Sequence, residues 1–421
     1  MIKLPKPRRI ALDSGAILLY QKNIVSPTSA FGAWIRKGSR DESNGERGMS
    51  HVLEHMVFRG TPSRSGLDIA LDLEAIGGQW DAFTSKEAVC YHGRVIEGHF
   101  ERLAGVFADI ILDPLIDPKA LRTELSVIRE EIRSVNDSPE EAVYELFFKA
   151  LFAGSQLGHP VAGNLRDISR IGRDSLLSFH RKTYTAKNTV FGYIGTLTPG
   201  KVAGKLDRLF DFPLKGRIPG RRRDSFVPAV SRSKGMDGLS QYHVVTGSRT
   251  VDAGDRSRFA VMLLSGIIGG GVSSRLFQAM REKAGLAYAV YSHVNFWSDT
   301  GAFSVYFSVD PRNLRPALDI FAAEMEKLRA GGITKEELES ARAQLKGSII
   351  FGLESSDTRL FRLFHEECYI GRFRDVGDVL SDIDSVTVDD IGRAAARLLD
   401  PDSMVRAVCG PKRVARGKAN R

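Results

Sequence analysis

The order of strand-like and helical stretches in the first third of the chain returns after residue 287, and this repetition limits the possible fold more than any other feature. Alternating apolar and polar residues mark strands over 10–20, turned at Asp13-Ser14-Gly15, over 30–37, and over 80–96 across Ser85-Lys86-Glu87. Helical periodicity covers 65–76, which stops at Gly77-Gly78, and then 98–112, 118–135 and 139–152. In the second half, strands over 287–297 and 302–309 precede a helix near 314–328 and another from Lys335 onward. Val309 matches Val95 and Phe321 matches Phe107 at a shared offset of 214, and Ile333 matches Ile116 at an offset of 217. A duplicated chain of 421 residues suits two similar cores of about two hundred residues each. Between Phe212 and Gly238 the sequence is rich in Pro, Gly and Arg and has no apolar period, which reads as a linker between domains 1–211 and 239–421.

The first half carries His51-Val-Leu-Glu54-His55 on a stretch read as helical. Residues at i, i+3 and i+4 share a helix face, so the two imidazoles can grip one metal ion with a carboxylate beside them. This is the reverse of the H-E-x-x-H arrangement, with Glu54 placed to act on water. A five-residue pattern of this kind arises by chance in on the order of one chain in a hundred of this composition. A zinc hydrolase also needs a third protein ligand and an open position. Glu131 lies on a second expected helix, two turns beyond Glu124 and on the same side of it, and can complete a His2Glu set while Glu124 orients a histidine. Taken alone, Glu131 also fits a solvated acidic helix face, since Glu130, Glu140 and Glu141 are nearby. The offset of 217 sets Ala341 opposite Glu124 and Ser348 opposite Glu131, so the second copy lacks the carboxylates and one zinc ion per chain is expected.

Composition removes several other classes. No stretch approaches the roughly 20 apolar residues a membrane span requires, so none is expected. The net charge of +9 is concentrated in Arg221-Arg-Arg223 and in the tail from Pro411. Neither run is interleaved with aromatic residues that stack on bases, and nucleic acid is not an expected partner. Cys90, Cys368 and Cys409 are too few and too widely spaced for a disulfide framework. The basic N-terminus has no apolar core after it and does not read as a secretory signal, which leaves the cytoplasm as the expected compartment.

The pattern His51-x-x-Glu54-His55, followed by Glu131 on a later helix, resembles the insulinase/pitrilysin-type zinc metallopeptidases, and the length resembles their mitochondrial-processing-peptidase-like branch. The text of 48–61, 77–87 and 269–277 agrees, so the resemblance spans nearly the whole chain. It implies an α+β fold of two homologous tandem α/β sandwich domains, each a largely antiparallel sheet covered by helices. It implies a zinc-dependent endopeptidase acting on peptides or unfolded protein segments. The substrate would bind as a strand added to the edge formed by Asp81, Ala82, Phe83 and Thr84, with Asp81 standing where the family usually has asparagine. Arg281 and Tyr288, at i and i+7, would act on the substrate from the second half. Glu141 and Glu145, at offsets of 10 and 14 from Glu131, would favour an arginine near the cleaved bond. The resemblance further implies a homodimer, or a heterodimer with a degenerate paralogue. The competing function is a non-catalytic scaffold subunit of such a heterodimer, a class of members that lose motif residues.

Overall fold

A computed structural model describes residues 4–24, 26–213, 216 and 230–412. Most of the stretch read as a linker, the Arg221-Arg-Arg223 run and the basic tail beyond Lys412 lie outside the described residues. The chain forms two compact units, the first from Met1–Arg133, His159–Arg223 and Ile350–Asp375, the second from Ser134–Gly158, Asp224–Ile349 and Val376–Arg421.

The first unit is built on a six-stranded sheet. Its strands are β1 (Arg8–Ala11), β2 (Ile17–Lys22), β3 (Thr28–Ile35), β4 (Gln79–Thr84), β5 (Val89–Ile96) and β6 (Thr189–Gly195), in the order β1-β2-β6-β3-β5-β4. All neighbours are antiparallel except β2 and β6. Successive side chains of a strand point to opposite faces, and here both faces are covered. Leu18, Tyr20, Phe31, Ala33, Phe191 and Tyr193 face the main core with helices α1 (Met49–Val57), α2 (Gly66–Ala75), α3 (Phe100–Leu112) and α4 (Pro118–Asp137). Ile17, Leu19, Ala30, Trp34, Val190 and Ile194 face a smaller cluster closed by Leu360, Leu363 and Phe364 of the helix Ser356–His365. That helix lies so close that a Cβ on Gly192 would stand 2.6 Å from the Leu360 side chain.

The second unit repeats the plan. Strands β7 (Arg232–Met236), β8 (Tyr242–Thr250), β9 (Ala287–Phe296), β10 (Gly301–Val309) and β11 (Val405–Pro411) run in the order β7-β11-β8-β10-β9. Only β7 and β11 are parallel, so order and direction reproduce β2-β6-β3-β5-β4 of the first unit. The helices Leu314–Arg329 and Lys335–Gly352 begin at offsets of 214 and 217 from the starts of α3 and α4, the same offsets that are visible in the sequence. The α+β duplication is therefore present in the fold, and Ala341 and Ser348 occupy the places of Glu124 and Glu131 on the corresponding helix.

Two helices depart from the division of the chain at residues 211 and 239. Helix α5 (Pro139–Leu151) buries Ala142, Val143, Phe147, Ala150 and Leu151 with Val245, Ala302 and Tyr306 of the second sheet, and the helix Ser356–His365 packs on the first. Each sheet has one strongly apolar face that the helices of its own half leave uncovered, and a helix from the other half of the sequence covers it.

Candidate metal centre

Helix α1 starts at Gly48, whose φ of 85° is a left-handed conformation open mainly to glycine. A Cβ there would also come within 2.7 Å of the Ala162 carbonyl oxygen. The unpaired N–H groups of the first turn are met by one buried carboxylate, with Gly48 N donating to Glu42 Oε2 at 2.8 Å and Ser50 N to Glu42 Oε1 at 2.7 Å. Met49, Val52, Leu53, Met56 and Val57 are buried in the core. His51, Glu54 and His55 are left on the other side of the helix, half-buried.

Helix α4 supplies the remaining carboxylates. Leu121, Leu125, Ile128 and Ile132 anchor it in the core and set Glu124 and Glu131 toward α1. Glu131 Oε2 stands 3.8 Å from His51 Nε2 and 3.7 Å from His55 Nε2. These separations are too long for hydrogen bonds. They come near the roughly 3.4 Å expected between two ligands that each lie about 2.1 Å from one tetrahedral ion.

The outer atoms support the same reading. His55 Nδ1 donates to Glu124 Oε2 at 3.2 Å, and Arg59 Nε meets the other oxygen of that buried carboxylate at 2.7 Å. With Nδ1 carrying the proton, Nε2 keeps its lone pair for a metal. Burial, helped by the charge of His55, pushes His51 down to about 4, so its imidazole is neutral near pH 7. His51 Nδ1 is buried with no hydrogen-bond partner among the described residues. The Glu54 carboxylate lies in the same cluster as the two imidazoles, with ligand atoms within 4.8 Å of one another. Burial raises its affinity for a proton, against the opposing influence of His55 and of a hydrogen bond from Thr84 Oγ1 to Oε2 at 3.1 Å. Glu131 Oε2 is nearly equidistant from both Nε2 atoms, and the Glu54 carboxylate accepts the hydrogen bond from Thr84. Two imidazoles and a carboxylate form a donor set that suits zinc.

Residues 17–165 match the insulinase family of peptidases, M16, and residues 170–345 match the domain described as peptidase M16 inactive domain. An uncharacterized zinc protease of Mycobacterium bovis is 34% identical over 400 residues, covering 93% of this chain and 91% of its own length. Another from Bacillus subtilis is 30% identical over 396 residues, covering 94% and 96%. The chain belongs to the insulinase family, M16. A solved structure described as a peptidase M16 inactive domain from Pseudomonas fluorescens shares the fold of this M16 chain, with a TM-score of 0.90 at 21% identity over 96% of the chain and 98% of its own.

In this M16 chain Asp81, Ala82, Phe83 and Thr84 all lie on β4, the edge of the first sheet, which pairs with β5 on one side only among the described strands. Asp81 is exposed and its Oδ1 accepts from Ala82 N at 2.8 Å. Arg281 and Tyr288 lie in the second unit, Arg281 in a π-helical turn over Phe277–Lys283 and Tyr288 near the start of β9. The Arg281 guanidinium sits 5.0 Å from the Phe277 ring centre and 5.8 Å from that of Tyr288, whose side chain is 76% exposed. Glu141 and Glu145 are on α5, also in the second unit, the first exposed and the second half-buried. Their neighbour Glu140 accepts a hydrogen bond from the Tyr291 hydroxyl.

Four residues near the metal-binding helix escaped the reading of the sequence. Arg59 stands one helical turn after His55, a spacing that offered a usable signal. Arg40, Glu42 and Glu87 are buried charges, and nothing in a local pattern distinguishes them from surface residues.

Proposed function

We propose that the chain is a zinc-dependent endopeptidase that takes peptides, or unfolded segments of proteins, as an added strand along β4. The convergence of His51 Nε2, His55 Nε2 and Glu131 Oε2, with the Glu54 carboxylate beside them, carries this reading. These three residues would hold a zinc ion, which would supply Lewis acidity for acidifying a water and polarising a carbonyl. Glu54 accepts the proton of the attacking water and later passes it to the departing amine. Its burial helps it hold that proton between the two events, and Thr84 fixes its orientation. Glu124 keeps His55 in the tautomer that presents Nε2.

Substrate binding follows from the free edge of β4, whose backbone N–H and C=O groups pair with any extended chain regardless of its side chains. Tyr288 is assigned as a donor to the oxyanion and Arg281 as the group that positions it. The pair Glu141 and Glu145 is assigned to an arginine near the cleaved bond. A homodimer is the favoured assembly, because one chain carries both the metal-binding residues and the Arg281 and Tyr288 pair.

The test is cleavage of a quenched random-peptide pool by purified protein, with zinc measured on the same sample. One zinc per chain, cleavage abolished by chelation, and a Glu54→Gln variant that keeps its metal but turns nothing over are the expected results. A metal-loaded parent protein that cleaves no member of the pool would favour the scaffold role instead.

A further inference from the structure

The metal-binding helix and the hairpin that ends in the substrate edge are well separated in sequence, yet one short loop is bonded to both. At one end Glu42 receives the N–H groups of Gly48 and Ser50 and so holds the first turn of α1, next to His51. At the other end Ser39 N donates to Ser85 O at 3.1 Å and Arg40 N to Lys86 O at 2.8 Å, both in the hairpin between β4 and β5. Arg40 Nη1 also donates to Glu87 Oε1 at 2.7 Å in an ion pair whose side chains are 4% and 1% exposed. Gly38 closes the approach, since a Cβ there would stand 2.4 Å from Ser85 O. The residue before this hairpin turn is Thr84, which bonds Glu54.

We infer that the loop 38–42 is a positioning bracket, in which Glu42 sets the metal-binding turn and the Arg40–Glu87 pair sets the height of the β4 edge against Glu54. The inference rests on the peptidase reading for its substrate half. A displacement of about 1 Å between reacting groups costs on the order of a hundredfold in rate, so a fixed spacing between strand and helix has a functional consequence. A buried ion pair adds little net stability but imposes one geometry, which suits this role better than simple reinforcement of the hairpin.

Two variants separate the halves, both read by binding. In Arg40→Met with Glu87→Met, both charges of the pair leave together. Placed in the zinc-loaded Glu54→Gln protein, this change is expected to weaken a fluorescent extended peptide about tenfold, the equivalent of a backbone hydrogen bond or two, with zinc affinity unchanged. Glu42→Gln is expected to weaken zinc about tenfold in competition with a chelator. If the double variant does not fold, Glu87→Gln, which leaves Arg40 a neutral acceptor, takes its place with the same expectation. A merely structural role lowers the melting temperature and leaves both affinities of the folded protein at parental values, and that result overturns the bracket. A parent protein that binds no peptide removes the peptidase reading and the strand half together, and the zinc affinity of Glu42→Gln then decides the helix half alone.

Discussion

Glu124 and His55 form a partly buried pair in which the imidazole Nδ1 donates to the carboxylate at 3.2 Å, while the second carboxylate oxygen is taken by Arg59. A carboxylate so placed would act on a bound metal through the histidine rather than by touching it. Glu124→Gln keeps the shape but offers a weaker acceptor, and zinc affinity should fall about 10- to 100-fold, measured by chelator competition. Parental affinity in this variant would mean that the pair serves only to pack α4 against α1.

Tyr288→Phe tests the assignment of an oxyanion donor. A donor that acts mainly in the transition state should lower kcat about a hundredfold and change KM little. The exposed hydroxyl makes the substitution nearly silent for stability, so a drop in the melting temperature is not expected. A rise in KM at constant kcat would make Tyr288 a substrate-binding residue.

Glu141→Gln with Glu145→Gln should erase a preference for peptides with arginine near the cleaved bond over alanine analogues while sparing zinc. A guanidinium gains charge-assisted, often bidentate hydrogen bonds from two carboxylates one turn apart on α5. Equal Arg-to-Ala ratios in parent and variant would leave these glutamates as surface charge.

Burial raises the Glu42 carboxyl to about 7, against the hydrogen bonds from Gly48 and Ser50 that favour its charged form. A folded-state value above the unfolded one means that the native protein binds more protons between pH 4.5 and about 7. The contribution of Glu42 to stability is therefore fully present below the unfolded value and declines as pH rises through this window, by up to about 3 kcal/mol. Glu42→Gln should flatten that part of the curve of unfolding free energy against pH. Parallel curves for parent and variant would show that Glu42 titrates normally.

Leu360→Ala should destabilise the first unit by about 2–5 kcal/mol, because the side chain is fully buried against Gly32 and Gly192 and leaves a cavity that a rigid sheet cannot fill. The denaturant midpoint reports it. A change under about 0.5 kcal/mol, the range of a surface substitution, would contradict the packing of this helix on the sheet.

Local features were legible in the order of residues. Period-two and helical patterns marked β4, β5, α3, α4 and α5 nearly to their ends, because each is set by which side of one element is apolar. That His51, Glu54 and His55 share a face was equally plain, since a helix brings i, i+3 and i+4 together whatever surrounds it. The duplication was visible too, and its offsets of 214 and 217 reappear in the starts of matching helices. Other relationships exist only once the chain has closed: Glu131 Oε2 within 3.8 Å of both imidazoles, Arg59 sharing Glu124 with His55, and Arg40 buried with Glu87 as a pair. The same is true of α5 and the helix Ser356–His365, each of which covers the sheet of the other half. An amphipathic helix announces that it has an apolar face but not which sheet will receive it, and a charged residue carries no local sign of its partner until the fold has formed around both.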